Sequence, residues 1–147
     1  MWNQAYDKPI IKKGVHMSYK FIPTKVHGVL DYVVAIALFF APMIFGFANI
    51  GGPAVIIPMV LGVGLFLYSL FTSYEWGVFK LISMPYHLVF DVLASLFLAA
   101  SPFLFGFNDE ALNVWLPHVV VGLTVILVVI FSQPQPANKA LQKETNY

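Results

Sequence analysis

Residues 26–47 read VHGVLDYVVAIALFFAPMIFGF. About 20 mostly apolar residues cross a hydrocarbon core of about 30 Å, and this run is long enough to do so. Its only acid and only imidazole are Asp31 and His27. Three further runs have the same character: residues 53–72, 85–107 and 113–132. They are far too long for buried strands, and short connections join them. The expected fold is therefore all-α: an integral membrane four-helix bundle made of two tandem helical hairpins in parallel orientation. Composition agrees. The 147 residues are 59% apolar and 10% charged, against roughly 45–50% and about 25% in soluble domains.

Lysine placement predicts a direction. Lys8, Lys12, Lys13, Lys20 and Lys25 precede the first run, Lys80 lies between the second and third, and Lys139 and Lys143 follow the fourth. The other two loops carry no basic residue, and one holds Asp109 and Glu110. By the positive-inside rule both termini are expected on the cytoplasmic side of an inner membrane. The first 25 residues contain no apolar stretch long enough for a cleavable signal, so the first span is expected to stay in the membrane. Segment 1–25 mixes lysines with Trp2, Tyr6, Tyr19 and Phe21 and suits an anionic membrane surface. Connector 73–85 is expected at the interface, and the polar tail 133–147 is expected to be disordered. A net charge of +1 gives no case for nucleic acid. All basic residues are lysines, so bidentate arginine recognition of phosphate is absent. The lack of cysteine excludes disulfides and thiolate metal sites.

A shift of 60 residues superposes the chain on itself. His27, Val29, Asp31, Leu38, Pro42, Phe45, Gly46 and Phe47 fall on His87, Val89, Asp91, Leu98, Pro102, Phe105, Gly106 and Phe107; with four matches in the following spans, twelve of 46 ungapped pairs are identical. Apolar composition alone does not align His, Asp, Pro and Gly in fixed order. The repeating units are 26–72 and 86–132. Each has two spans, so both enter the membrane with the same orientation and relate by an axis along its normal. Corresponding residues then share a depth.

Both units contain a Pro-x-hydrophobic-Phe-Gly-Phe exit, APMIFGF at 41–47 and SPFLFGF at 101–107. These resemble the SPW repeat, a two-helix module of small bacterial membrane proteins, whose Ser-Pro-Trp signature is followed by a hydrophobic pair and Gly-Phe. Met43 and Phe103 stand in place of the Trp, and Ala41 in place of the first Ser. The resemblance implies a fold and a membrane location and carries no activity. Physically, Pro42 and Pro102 lack an N–H and disturb the last helical turn. Gly46 and Gly106 suit a left-handed cap, and the flanking Phe residues are expected near the lipid boundary.

His27 and Asp31 are spaced i, i+4, as are His87 and Asp91, so each pair shares a helix face. Asp31 lies about 8 Å inside its span at 1.5 Å per residue. An ionisable group at mid-bilayer costs about 3 kcal/mol on insertion scales, less near the edge, and usually faces the bundle interior with a partner. The four residues are a plausible first shell for a divalent metal such as Zn²⁺, Mn²⁺ or Fe²⁺. His27 and His87 are alternatively the axial pair of a haem b. A proton relay, or hydrogen bonds that hold the helices together, are further alternatives. His118 aligns with Pro58 and reads as an outer-interface residue; Gly62, Gly64 and Gly122 read as helix-packing positions.

No nucleophile–base set, phosphate loop, dinucleotide fingerprint or HExxH motif supports an enzyme. The residues favour a small multi-pass membrane protein with a structural or accessory role, in contact with lipid and with a homo-oligomer or larger membrane complex. A metal- or haem-binding protein for redox or proton-relay work is the alternative, and a transporter subunit the third.

Overall fold

A computed structural model describes residues 19–135. Segment 1–18 and tail 136–147, including His16 and five of the lysines, lie outside the described residues. The described chain folds into four helices: α1 Thr24–Ile44, α2 Gly52–Phe71, α3 Met84–Leu104 and α4 Leu112–Phe131. All four are long and apolar enough to cross a membrane. Large side chains such as Val33, Ile36, Phe66, Leu93, Leu123 and Leu127 cover the outside, as a bundle in lipid requires. The protein is a multi-pass membrane protein.

α1 packs chiefly on α2 and α3 on α4, and the two hairpins join mainly through α2 and α3. Glycine brings each hairpin close. A Cβ on Gly62 would lie 2.6 Å from the Ala35 carbonyl oxygen, and one on Gly122 would lie 2.6 Å from that of Ser95. Ala35 and Ser95 are themselves 60 residues apart, so the same contact occurs twice. Gly64 has open space around it and does not serve packing.

α1 and α3 end three residues earlier than the apolar runs do. Gly46 and Gly106 adopt φ of 73° and 68°. The turn lets the Phe47 amide donate to the Pro42 carbonyl at 2.8 Å and the Phe107 amide to the Pro102 carbonyl at 2.9 Å. These are six-to-one bonds that cap a helix end with its chain reversing. The reversal carries Phe47 and Phe107 into the core, where both are buried. The expectation of a lipid-boundary position holds for Phe45 and Phe105, which are exposed, and fails for these two.

His118 also departs from the sequence reading. It is buried, with its ring between Phe47 and Phe107 at centroid distances of 5.7 and 5.1 Å. Its Nε2 lies 3.0 Å from the Ala54 carbonyl oxygen of α2. In a regular helix that carbonyl would accept from residue 58, but Pro58 has no N–H. Nδ1 lies 2.9 Å from the Val114 carbonyl oxygen of its own helix, so with the proton on Nε2 the imidazole of one repeat donates to the backbone acceptor that the proline of the other leaves free.

The end that carries the chain's entry and exit closes in the same paired way. Ile22 bridges Ser132 and Thr72 bridges Ile82, both in parallel sense. Each unit's entry segment therefore meets the other unit's exit.

His118→Leu should lower stability by about 1–3 kcal/mol, the usual cost of an unpaired buried acceptor. Pro58→Ala in that background should recover part of it by restoring the N–H. Thermal unfolding in detergent measures both; an unchanged midpoint for His118→Leu would contradict the pairing.

Candidate metal centre

His27 sits one turn into α1 and His87 one turn into α3. The two hairpins bring them together edge to face, with ring centroids 5.4 Å apart and planes at 76°. Asp31 and Asp91, one turn further on, close a ring. His27 Nε2 lies 3.2 Å from Asp31 Oδ1 and 3.1 Å from Asp91 Oδ2. His87 Nε2 lies 3.0 Å from Asp31 Oδ2 and 3.2 Å from Asp91 Oδ2. All four residues are buried, and their ligand-capable atoms lie within 4.8 Å of one another. The i, i+4 spacing supplies each pair, and the pseudo-twofold axis supplies the meeting of pairs.

The far side of each imidazole is held by a hydroxyl. His27 Nδ1 lies 2.7 Å from Ser132 Oγ, and His87 Nδ1 lies 2.7 Å from Thr72 Oγ1. Ser132 and Thr72 are again 60 residues apart, each just past the last helix of its unit. Each hydroxyl has one proton, and each donates it to the carbonyl one turn back: Ser132 to Val128 at 2.6 Å and Thr72 to Tyr68 at 2.8 Å. The hydroxyl oxygen can then only accept from Nδ1. Nδ1 therefore carries the proton in both rings, and the lone pair of a neutral imidazole is on Nε2, aimed at the carboxylates. This is the arrangement in which a histidine presents Nε2 to a metal while a second group fixes its tautomer.

Two of the ring atoms, Asp31 Oδ2 and His87 Nε2, have no hydrogen-bond partner although they are only 3.0 Å apart. They are close without the angles of a hydrogen bond. A lone pair facing a carboxylate oxygen at that distance is unfavourable unless a proton or a cation lies between them.

Two tyrosines complete the surroundings, and neither was singled out by its spacing. Tyr68 on α2 donates to Asp91 Oδ1 at 2.5 Å, fixing that carboxylate. Tyr74, on the connector after α2, is buried with its ring centroid 5.6 Å from that of His87. Burial pushes its phenol well above the ordinary range, and the charge of Asp31 beside it pushes the same way. Gly28 makes room for it, since a Cβ there would overlap the Tyr74 ring. The connector is pinned by Trp76 Nε1 donating to the Lys25 carbonyl at 3.0 Å and by Thr24 Oγ1 donating to Glu75 at 2.8 Å. His118 is not part of this centre; it belongs to the core at the opposite end of the bundle.

The sequence model described as SPW repeat domain matches residues 25–132. No curated protein and no solved structure matches the chain.

The four side chains share their partners, so their contributions should not add. In a double-mutant cycle, His87→Ala and Asp31→Ala should couple by about 1–3 kcal/mol. Unfolding free energies of the two single variants and the double variant measure this. Strict additivity would mean that the two side chains do not interact.

Proposed function

The chain belongs to the SPW repeat family, and on that premise we propose that its bundle is built to hold one divalent metal ion between His27, Asp31, His87 and Asp91. The observation that carries this is the gathering of two imidazoles and two carboxylates with donor atoms within 4.8 Å of one another, each imidazole held from behind by a hydroxyl. In a tetrahedral shell with bonds of about 2.0–2.1 Å, neighbouring donors lie roughly 3.3 Å apart. The Nε2–oxygen distances of 3.0–3.2 Å are close to that edge, with Asp31 offering Oδ1 to His27 and Oδ2 to His87, and one donor atom from each residue lies within 4.8 Å of the others. Charge agrees as well. A divalent ion with two carboxylates and two neutral imidazoles sums to zero, which a low-dielectric interior favours.

The donor set is nitrogen and oxygen without sulfur, which suits Zn²⁺, Mn²⁺ or Fe²⁺. Haem is disfavoured. Both imidazoles share both carboxylates, so no macrocycle plane fits between the rings. A plain network of protonated imidazoles and carboxylates would use the same four residues. The hydroxyls behind the rings favour the metal, because with Nδ1 donating to Ser132 and Thr72 a neutral imidazole leaves a lone pair on each Nε2. The lysines nearby, Lys20, Lys25 and Lys80, support a cytoplasmic location for this end of the bundle. The reading is thus of a metal-binding membrane protein whose site lies within reach of the cytoplasmic metal pool.

Protein purified without chelators should contain about one equivalent of transition metal per chain by elemental analysis, lost in His27→Ala/His87→Ala. Ser132→Ala and Thr72→Ala should keep the ligands and lower affinity about 10–100-fold. Trace metal only, or equal metal in the double histidine variant, would overturn the reading.

A further inference from the structure

The pseudo-twofold axis relates two seams between the hairpins, α2 against α3 and α4 against α1. They are not alike: α2 and α3 pack together, whereas α1 and α4 hardly touch. The residues account for this. A shift of 60 places Ala37 of α1 on Phe97 of α3, and Val121 and Val125 of α4 on Leu61 and Leu65 of α2. The difference between alanine and phenylalanine outweighs the two positions that run the other way, Val34 over Ala94 and Thr124 over Gly64.

The open seam contains a cavity of about 320 Å³, within the range of roughly 300–1,000 Å³ of small-molecule sites. It lies in the half of the bundle away from the ring. Exposed Ala37, Ile44 and Thr124 line its outer side, and buried Leu38, Phe47 and Leu98 its inner side. At Phe45, Pro117 and Val121 it runs on into a more open groove along α4 that ends at Leu112 and Asn113. From Val125 to Leu112 is about 20 Å along the helix at 1.5 Å per residue. One leaflet's half of a hydrocarbon core of about 30 Å is of similar depth.

The two polar side chains of the cavity offer a ligand no free donor. The His118 ring nitrogens face the Val114 and Ala54 carbonyls, and Thr124 donates to the Val120 carbonyl. Water gains nothing in such a space. A helix, about 10–12 Å across with its side chains, is too wide to reach the buried inner side. A single hydrocarbon chain is slender enough, and hydrocarbon is what a bilayer brings to this opening.

We propose that the α1–α4 seam binds one acyl chain of a zwitterionic membrane lipid, which enters beside Asn113 and ends near Leu38 and Leu98. The chain takes the place that Phe97 fills at the other seam. The bundle is thus completed by its own side chain on one side and by lipid on the other. Charge selects the headgroup. The loop leading into α4 contains exposed Asp109 and Glu110 and no basic residue, so an ammonium-bearing headgroup suits the entrance and an anionic one does not. The site is separate from the ring and does not rest on the metal reading.

Delipidated full-length protein in mild detergent, titrated with dioleoyl phosphatidylcholine and weighed intact by native mass spectrometry, tests this. The wild-type chain should take up one lipid before any others add, and should take it in preference to dioleoyl phosphatidylglycerol. Ala37→Phe, and separately Val121→Leu/Val125→Leu, each copy the closed seam. Both should bind the first lipid about tenfold more weakly, the worth of roughly two buried methylene groups. Thermal unfolding without lipid shows which variants are folded, and either one suffices. Equal first-lipid binding by wild type and a folded variant would overturn the site. A lipid-free wild-type dimer would overturn it too, since a second copy would then cover the seam. Tighter binding of phosphatidylglycerol would overturn the part given to Asp109 and Glu110.

Discussion

Hydrocarbon offers no hydrogen bonds, so every polar group taken into a membrane must be satisfied by the protein itself. The ring of His27, Asp31, His87 and Asp91 is where that constraint is most severe. Two carboxylates and two imidazoles are buried together, and none can turn to water. The neighbouring structure can be understood as the means of closing this ring. Helical periodicity pairs each His with its Asp, and Gly62 and Gly122 draw each hairpin tight. The crossed bridges between Ile22 and Ser132 and between Thr72 and Ile82 bring the two units together at the depth of the ring.

Duplication makes the arrangement economical. A single hairpin would present one His–Asp pair to lipid with no partner for it. Two hairpins in parallel orientation present the pairs at one depth, and each unit holds the other's histidine: Ser132 after α4 holds His27 on α1, and Thr72 after α2 holds His87 on α3. His118 repeats the logic at the opposite end, where an imidazole of the second unit meets the carbonyl that Pro58 of the first leaves unpaired. Around the ring the units differ. Gly28, Tyr68, Ser69 and Tyr74 have no polar counterparts in the second unit, and they gather on and around the ring.

The spans, the pairing of hairpins and the candidate ring were legible in the sequence because each rests on a period or a repeat. Hydrophobic length marks the spans, i, i+4 spacing marks the faces, and the 60-residue shift marks the shared depth. What stayed hidden depends on chain reversals and on contacts distant in sequence. Phe47 and Phe107 look like boundary aromatics until the positive φ of Gly46 and Gly106 turns them inward. His118 aligned with a proline and so fell outside the repeated pattern; its role becomes visible only when the carbonyl four residues before that proline is followed in space. Thr72 and Ser132 stood at the ends of the apolar runs as mere termini. Tyr74 lay in a connector with no periodicity at all. Thr72 and Ser132 are hydroxyl residues at matched positions, so the 60-residue repeat itself marks them.

The account comes down to whether two imidazoles and two carboxylates share one metal ion. X-ray absorption at the metal edge of the loaded full-length protein tests this most directly. The account predicts a first shell of nitrogen and oxygen alone at about 2.0–2.1 Å, with the outer-shell scattering of two imidazole rings. That scattering should disappear from His27→Ala/His87→Ala protein. A shell of oxygen with no imidazole scattering, or one ring in place of two, would contradict it.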